Sequence, residues 1–285
     1  MSNTKDKTFS CEFFPPRTEA GVEKLLKTTH DLHEVMQPAY YSVTFGAGGT
    51  TRDSTLEVVQ LLTATKIAGQ QINVAPHISC IGSSKQQLGD LLAQYKALGV
   101  RRLVALRGDT AKNGETTKEL SYANELVSFI RETHGDHFTI EVAAYPEYHP
   151  ESASPQSDFE YFKNKVAAGA DAAITQYFYN IDAYLHFMDK CQSENIEIPV
   201  TPGIMPITNF ASLTRFSDAC GSEIPRWIRK QLESYAEDKD SLMAFGLDVV
   251  SNLCNQLLEN DAPGLHFYTL NQADSINAIW KNLDR

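Results

Sequence analysis

Ionisable and hydrogen-bonding side chains recur directly after short apolar runs in this sequence of 285 residues. They include carboxylate, imidazole, guanidinium, amide and phenol groups, which together could transfer protons and bind a polar organic ligand. Because successive parallel strands end at one edge of a sheet, the set predicts a single shared site. The positions are Glu12, Thr44, His77, Arg107, Asp109, Tyr145, Glu147, His149, Gln176 and Asn271.

Glu12 is the strongest candidate for acid–base chemistry. Strand alternation over TFSCEFF would place Ser10, Glu12 and Phe14 on one face. The neighbouring phenylalanines and the prolines at 15–16 make an apolar setting, in which burial would raise the pKa of the carboxyl group toward neutrality. These features predict a general acid, although a strand-end salt bridge, for example with Arg17, fits the sequence equally well.

Three loops that follow strands could bind an anionic or planar ligand. Residues 46–51 (GAGGTT) could present backbone N–H groups to a phosphate, but a flexible loop with a helix cap fits as well. Residues 107–109 (RGD) could hold an anion or form a surface ion pair. Residues 143–150 (AAYPEYHP) offer aromatic and imidazole groups for stacking on a planar heterocycle, which we favour over a purely packed loop.

Metal chemistry has little support in the sequence. The pairs His30/His33 and His134/His137 fall in or at the end of predicted helices, away from the strand ends. No cluster of further ligands accompanies them, so we expect surface histidines and no metal site.

The elements that must position these side chains alternate along the chain. Short β-branched or aromatic runs alternate with longer amphipathic stretches, and the strands begin about 30 residues apart, as in βαβ units. The predicted strands are 8–13, 39–44, 72–79, 101–106, 138–144, 171–177, 198–204 and 264–269. The predicted helices are 19–34, 52–68, 84–98, 117–133, 155–168, 181–194, a helical block over 208–259, and 272–283. The pattern predicts an α/β fold, a (β/α)₈ barrel with extra helices before the last strand, and a doubly wound open sheet is the alternative.

Composition limits the classes of function. The net charge of −11 and pI near 5.2 argue against nucleic acid and anionic membranes as partners. Five scattered cysteines and no apolar leader or membrane-length run predict a cytoplasmic protein with reduced thiols. An anionic ligand would therefore need local cations, against the overall charge.

The chain resembles the methylenetetrahydrofolate reductases, in their short bacterial form, over essentially its whole length. The resemblance rests on ordered blocks of sequence at matching spacing. They are CEFFPPR (11–17), SVTFGAGG (42–49), APHISC (75–80), VALRGD (104–109), AAYPEYHPE (143–151), AITQYFY (173–179), TPGIMPITNF (201–210) and HFYTLN (266–271).

The resemblance implies one catalytic barrel domain over residues 1–285 with non-covalent FAD. It implies a ping-pong cycle in which NADH or NADPH reduces the flavin. The flavin N5 hydride then converts 5,10-methylenetetrahydrofolate to 5-methyltetrahydrofolate, in one-carbon metabolism and methionine synthesis. A homo-oligomer, dimer or tetramer, is also implied.

Site roles follow from the same resemblance. Glu12 matches the general acid, and Asp109 matches an aspartate near the flavin and the pterin that serves catalysis and binding. The implied cofactor-binding residues are Thr44, Phe45, Ala47, His77, Arg107, Gly108, Asp109, Tyr122, Ala123, Tyr145, His149, Asp158 and Lys165, with Arg107 and Lys165 near the diphosphate. The implied substrate-binding residues are Asp109, Gln176, Ser212, Phe216, Tyr268 and Gln272, with Gln176 serving both folate and nicotinamide.

Several positions depart from the family pattern of the enterobacterial sequences. Phe45 replaces a tyrosine, and Tyr161 and Asn164 replace an asparagine and an arginine near the adenosine diphosphate. Ser212 and Gln272 replace a glutamine and an arginine associated with folate, so a charged contact to the glutamate tail is in doubt. Two other hypotheses remain: a proline-dehydrogenase-like FAD barrel, and a flavin- or folate-binding barrel without catalysis.

Overall fold

Parallel strands form a nearly closed barrel in the computed structural model, which describes residues 7–45, 52–108, 119–235 and 238–284. Around the barrel the strands follow one another in the order Gly203–Ile204, Gly264–Tyr268, Thr8–Phe13, Tyr40–Val43, Val74–Ser79, Arg102–Leu106, Thr139–Ala144, Ala172–Thr175 and Val200–Thr201. Each adjacent pair is parallel. Helices follow the strands and cover the outside of the barrel. The predicted (β/α)₈ barrel with extra helices before its last strand is therefore confirmed, and the open sheet is excluded.

The strands and helices have these bounds. The strands are β1 Thr8–Phe13, β2 Tyr40–Val43, β3 Lys66–Ile67, β4 Gln70–Gln71, β5 Val74–Ser79, β6 Arg102–Leu106, β7 Thr139–Ala144, β8 Ala172–Thr175, β9 Val200–Thr201, β10 Gly203–Ile204 and β11 Gly264–Tyr268. The helices are α1 Glu19–Met36, α2 Arg52–Ala64, α3 Lys85–Ala97, α4 Ala123–His134, α5 Pro155–Ala167, α6 Ile181–Ser193, α7 Phe210–Cys220, α8 Arg226–Ser234, α9 Lys239–Glu259 and α10 Asp274–Lys281.

Pro202 divides the seventh barrel position into two short strands. Before it, β9 pairs with β8, and after it, β10 pairs with β11. Proline has no backbone N–H to donate to a ladder, but its carbonyl oxygen accepts a hydrogen bond from the His266 N–H at 3.0 Å. The predicted continuous strand 198–204 is thus a broken one.

One predicted helix needs correction, and the helical block predicted over 208–259 is divided into separate helices. The helix predicted over 52–68 ends at Ala64, and an antiparallel pair, β3 with β4, follows it. Ala68 and Gly69 have positive φ angles of 51° and 83°, which make the tight turn that a helix cannot continue through. The block 208–259 consists of three helices, α7, α8 and α9, because Gly221 at φ 77° ends α7 and Pro225 precedes α8.

Local sequence chemistry accounts for the helix starts near the site. Ser154 caps α5 by accepting a hydrogen bond from the Ser157 N–H, and Pro155 occupies the first helical turn, where its missing N–H costs nothing. Tyr122 holds the N-cap position of α4, and Glu125 accepts its backbone N–H at 3.2 Å. These helix starts point toward the carboxyl ends of the strands, where the predicted site lies.

Strand alternation separates an apolar layer from a polar interior in β1. Cys11 and Phe13 are buried against α1 and β2, through a Cys11–Met36 sulfur contact of 3.6 Å and stacking of Phe13 on Tyr41. Ser10 and Glu12 face the other side, into the barrel. None of the helices in the described ranges has the length and apolar run needed to span a bilayer.

Candidate active site

Glu12 of β1 lies at the centre of a cluster completed by side chains from three other strands. Its Oε2 is 3.2 Å from His77 Nε2 of β5 and 3.4 Å from His266 Nε2 of β11. The Ser42 hydroxyl of β2 donates to the same oxygen at 3.5 Å. The Glu12 side chain is 16% exposed and that of His266 is 0% exposed, so the cluster is largely shielded from solvent.

The pKa of Glu12 is lowered, which corrects the sequence-based expectation. Burial alone raises the pKa of this carboxyl group, but the facing His77 and His266 rings together outweigh burial and lower the pKa to about 2. Glu12 is thus ionised, and a role as general acid requires that a proton reaches it first. The strand-end salt bridge with Arg17 is replaced by contacts with two histidines.

A cavity of about 510 Å³ opens above Glu12. Gln176 at the end of β8 and Tyr268 at the end of β11 form part of its wall, together with Phe216 of α7. Tyr268 donates its hydroxyl to Thr175 O at 2.7 Å, and this approach depends on Gly203, because a Cβ there would lie 2.6 Å from the tyrosine ring. The cavity therefore combines an ionisable carboxylate with aromatic and amide groups.

A second cavity of about 420 Å³ adjoins the first. The two have Phe45, Leu106, Tyr145 and His149 as common lining residues, so they form one continuous region at the carboxyl ends of the strands. Nine of the implied cofactor-binding residues line the second cavity: Phe45, Arg107, Gly108, Tyr122, Ala123, Tyr145, His149, Asp158 and Lys165. Thr44 and His77 line the first cavity instead.

Lys165 places a cation in the wall of this second cavity. Its Nζ donates to Ala143 O at 2.5 Å, and burial lowers the pKa of the ammonium group to about 8, although Asp158 opposes that shift. Asp158 accepts a hydrogen bond from the Ser152 hydroxyl at 2.8 Å. An ammonium group has three donors, so Lys165 retains capacity to bind an anionic oxygen.

Arg107 and Gly108 form the turn after β6. The Arg107 guanidinium pairs with Glu151 at 2.6 Å. The backbone carbonyl oxygen of Arg107 accepts a hydrogen bond from the Ser79 hydroxyl at 2.9 Å. Gly108 has φ 82°, and a Cβ at this position would collide with Ser79 Oγ, so glycine is required there. The alternative reading of this turn, an Arg107–Asp109 surface pair, involves residue 109, which lies outside the described ranges.

The loop after β7 places aromatic groups between the two cavities. The Tyr145 and His149 rings pack edge to face with centroids 4.8 Å apart. Burial and the nearby Arg107 lower the pKa of His149, which favours a neutral ring that can pack against a ligand. At the outer edge, the half-exposed rings of Tyr122 and Tyr161 stack on each other with centroids 6.3 Å apart.

The remaining predicted site residues either do not line these two cavities or lie outside the described residues. Ala47, Asp109 and the loop 46–51 fall outside the described residues. Ser212 is at the start of α7 and Gln272 is exposed, and neither lines these two cavities. Asn271 is buried and holds the chain after β1 through two hydrogen bonds with the Phe14 backbone.

Sequence reasoning missed two partners of Glu12, namely His266 and Ser42. Both side chains reach the barrel interior, and alternation in YYSV and GLHFY could have indicated this. The chemistry of the described residues fits a dinucleotide flavin, because a buried ammonium group, a guanidinium group and aromatic rings line one elongated region. No group of three or more potential metal ligands was found in the described ranges.

Comparisons with known proteins agree on one family. A family model described as methylenetetrahydrofolate reductase matches residues 1–284. The 5,10-methylenetetrahydrofolate reductase of Pectobacterium carotovorum subsp. carotovorum is 37% identical over 274 residues, covering 96% of this chain and 89% of the relative. That of Escherichia coli (strain K12) is 35% identical over 274 residues, covering 96% and 90%.

A solved structure is similar in fold. It is an uncharacterized protein from Clostridium thermocellum, described as binding two copies of 5-methyl-5,6,7,8-tetrahydrofolic acid. The TM-score is 0.67 at 16% identity, and the alignment covers 98% of this chain and 95% of the other.

Proposed function

This chain belongs to the methylenetetrahydrofolate reductase family, and from that membership we propose the reaction in detail. The enzyme reduces 5,10-methylenetetrahydrofolate to 5-methyltetrahydrofolate, with NADH or NADPH as the hydride donor and non-covalent FAD as the carrier. The observation that supports this most is the Glu12–His77–His266 cluster, which adjoins a region able to hold a flavin.

The residues of the second cavity would hold the FAD. Lys165 and Arg107 would bind the diphosphate, and Tyr122 would adjoin the adenosine end. Phe45 and Tyr145, common to both cavities, would pack beside the isoalloxazine ring. When bound, the flavin supplies the reversible two-electron chemistry that protein side chains lack.

Folate and nicotinamide would occupy the first cavity in turn. Gln176 presents an amide there, since its Oε1 accepts the Tyr177 N–H at 3.0 Å, and it would contact both substrates. Phe216 and Tyr268 would pack on the pterin or the nicotinamide. Asp109, Ser212 and Gln272 remain proposed contacts on the strength of the family resemblance.

Glu12 would act as the general acid. Protonated Glu12 would give its proton to the folate nitrogen that leaves the methylene carbon, which opens the five-membered ring to a 5-iminium cation ready to accept hydride. His77 and His266 would stabilise the carboxylate that remains.

The absorption spectrum of the purified protein tests the proposed cycle. With FAD bound, anaerobic NADH should bleach the flavin band, and 5,10-methylenetetrahydrofolate should restore it. A protein that stays colourless after incubation with FAD would refute the proposal. Bleaching without folate-driven recovery would favour a different flavin barrel or a binding protein.

Glu12→Gln separates the two half-reactions. We expect NADH-driven bleaching to stay within about twofold of wild type, and folate-driven recovery to slow by about 10²–10⁴, the usual contribution of a general acid. Glu160→Gln, which removes a carboxylate from the outer helix α5, is the control and should alter neither step. Equal slowing of both steps by Glu12→Gln would contradict the role of Glu12.

The oligomeric state and cellular compartment are part of the same proposal. Trp227 of α8 is 60% exposed and contacts Phe245 of α9, and Met243 of α9 is 40% exposed. This apolar surface supports association of copies into a dimer or tetramer, measurable by light scattering on purified protein. We propose a cytoplasmic location because Cys11, Cys80, Cys191 and Cys254 are buried, unpaired thiols.

A further inference from the structure

Polar side chains in the barrel interior continue below Glu12. His266 contacts Glu12 through Nε2, and its Nδ1 is 2.7 Å from the hydroxyl oxygen of Ser10. Ser10 and His266 are both 0% exposed, and they pair in register on neighbouring strands β1 and β11. The imidazole therefore connects the carboxylate to a hydroxyl one layer deeper in the barrel.

A second set of polar contacts begins where the first ends. Tyr40 is the in-register partner of Ser10 on the neighbouring strand β2, which brings its phenol to the Ser10 hydroxyl. Tyr40 also donates to both carboxylate oxygens of Glu141, at 3.0 and 2.8 Å. Glu141 also accepts a hydrogen bond from Arg102 Nη1 at 2.8 Å. We call Glu141, Tyr40, Ser10, His266 and Glu12 the polar column.

The polar column spans the barrel from one end toward the other. Tyr40 and Arg102 are the first residues of β2 and β6, at the amino ends of the strands, whereas Glu12 is near the carboxyl end of β1. The Glu141 side chain is only 3% exposed, but that of Arg102 is 32% exposed. Glu141 is thus a buried carboxylate one residue away from solvent at the end of the barrel opposite the substrate cavity.

If the polar column had only a structural role, it would destabilise the barrel core relative to apolar side chains at the same positions. Buried polar groups cost free energy unless every one of them is paired, and interior layers of such barrels are usually filled by apolar side chains. Here every link between the two carboxylates is a group that can both donate and accept a proton: imidazole, aliphatic hydroxyl and phenol. This property is what proton transfer requires.

We propose that the polar column is a proton relay that reprotonates Glu12 from the amino end of the barrel. It rests on the proposed function, in which one proton is consumed for each folate reduced. A proton that arrives at Glu141 passes to the Tyr40 oxygen while the Tyr40 proton passes to Ser10. The Ser10 proton passes to His266 Nδ1, and the Nε2 proton passes to Glu12. One proton enters, one reaches Glu12, and no other group changes charge.

The groups around the two ends suit this role. Glu12 faces His77, His266 and Tyr268, and Glu141 faces Arg102 and Tyr40. Burial, and then the charge of Glu141, raise the pKa of Tyr40, so its phenol keeps the proton needed for transfer. With substrates covering the cavity above Glu12, the column provides a path that they do not block.

Tyr40→Phe tests the relay with minimal change in packing, and Ser10→Ala breaks the next link. Tyr41→Phe is the matched control, because Tyr41 is also a buried tyrosine of β2 but donates to Thr29 O, outside the column. We expect both relay variants to slow folate-driven flavin recovery about 10-fold or more, while NADH-driven bleaching is unchanged. The double variant should be no slower than the slower single variant, because both interrupt one path.

Two measurements separate a relay from a structural role. Small acids such as imidazolium buffer should restore the rate of folate-driven flavin recovery in Tyr40→Phe in proportion to their concentration. An added acid would not restore a rate lost through a packing defect. In the protein without FAD, the ring N–H of His266 should exchange with solvent several-fold more slowly in Tyr40→Phe than in Tyr41→Phe, by nuclear magnetic resonance.

The outcomes distinguish the relay from the proposed function. If wild type shows bleaching by NADH and recovery by folate, but Tyr40→Phe and Ser10→Ala match Tyr41→Phe in both rate and exchange, the relay is refuted and the proposed function stands. If wild type shows no folate-driven recovery, the proposed function fails, and the exchange measurement alone then decides whether the column conducts protons.

Discussion

Lys165→Met should separate the energetic cost of a buried ammonium group from its use in binding. Met keeps most of the aliphatic stem but removes the charge. The pKa of Lys165 falls from 10.5 to about 8, chiefly through burial. That shift corresponds to about 3 kcal/mol against the charged form at neutral pH. The hydrogen bond to Ala143 O offsets about 1.5–3 kcal/mol of this cost.

We therefore expect the flavin-free variant to unfold at the same or a higher urea concentration than wild type at pH 7. The pH dependence gives a sharper test. The pKa in the folded state, about 8, lies below that of the unfolded chain, 10.5, so the unfolded state binds more protons between these values. Wild-type stability should therefore rise by up to about 3 kcal/mol over this range relative to Lys165→Met.

The affinity for FAD should fall in Lys165→Met, although the stability of the flavin-free protein should not. If Lys165 binds the diphosphate, the variant should bind FAD about 10- to 100-fold more weakly, as expected from the loss of one charge-assisted hydrogen bond. At pH 9, wild type should take up a proton on binding FAD, because the anion raises the pKa of the ammonium group. Calorimetry in buffers of different ionisation enthalpy measures that uptake.

Lys163→Met is the matched control on the same helix, because Lys163 pairs with Glu160 and Glu194 outside the cavity. It should leave FAD affinity within about twofold of wild type. Equal FAD affinity in wild type and Lys165→Met, with no proton uptake at pH 9, would refute the placement of Lys165 at the diphosphate.

Two further predictions concern the same region. Gly108→Ala should lower the free energy of unfolding, measured with urea, by more than Gly99→Ala. Both glycines have φ near 80°, where alanine is strained by about 1–2 kcal/mol, but only at Gly108 would the added Cβ also collide with Ser79. Similar losses of stability in the two variants would contradict the close approach. Gln176→Leu should raise the KM for both NADH and folate, measured in separate half-reactions, whereas an effect on one substrate alone would argue against a common binding face.

Local pattern was enough to predict which way side chains of β1 face, but not the electrostatics they meet. Alternation in TFSCEF correctly placed Ser10 and Glu12 together, toward the barrel interior. The pKa of Glu12 depends on His77, 65 residues away, and on His266, 254 residues away, and no local window contains either contact. The prediction of a raised pKa was wrong because only the burial contribution was visible in the sequence.

The barrel itself was predictable because βα spacing repeats through the chain, whereas its irregular features depend on single residues. Pro202 could have marked a break in the strand 198–204, since proline cannot donate to a ladder. The turn at Ala68 requires a positive φ in a residue type that rarely adopts one, so the sequence gives no sign of this turn. Hydrophobic periodicity likewise could not resolve the block 208–259 into three helices.

The break at Pro202 also affects where the barrel wall can widen most easily. A continuous strand transmits tension to both neighbours along its length, but here β9 is bonded to β8 and β10 to β11, with one proline between them. The hydrogen-bonded ring is therefore interrupted beside Thr175, Gly203 and Tyr268, which line or support the cavity above Glu12. We expect any widening of this cavity to concentrate at the break rather than on the Glu12 side of the barrel, where the strands are continuous.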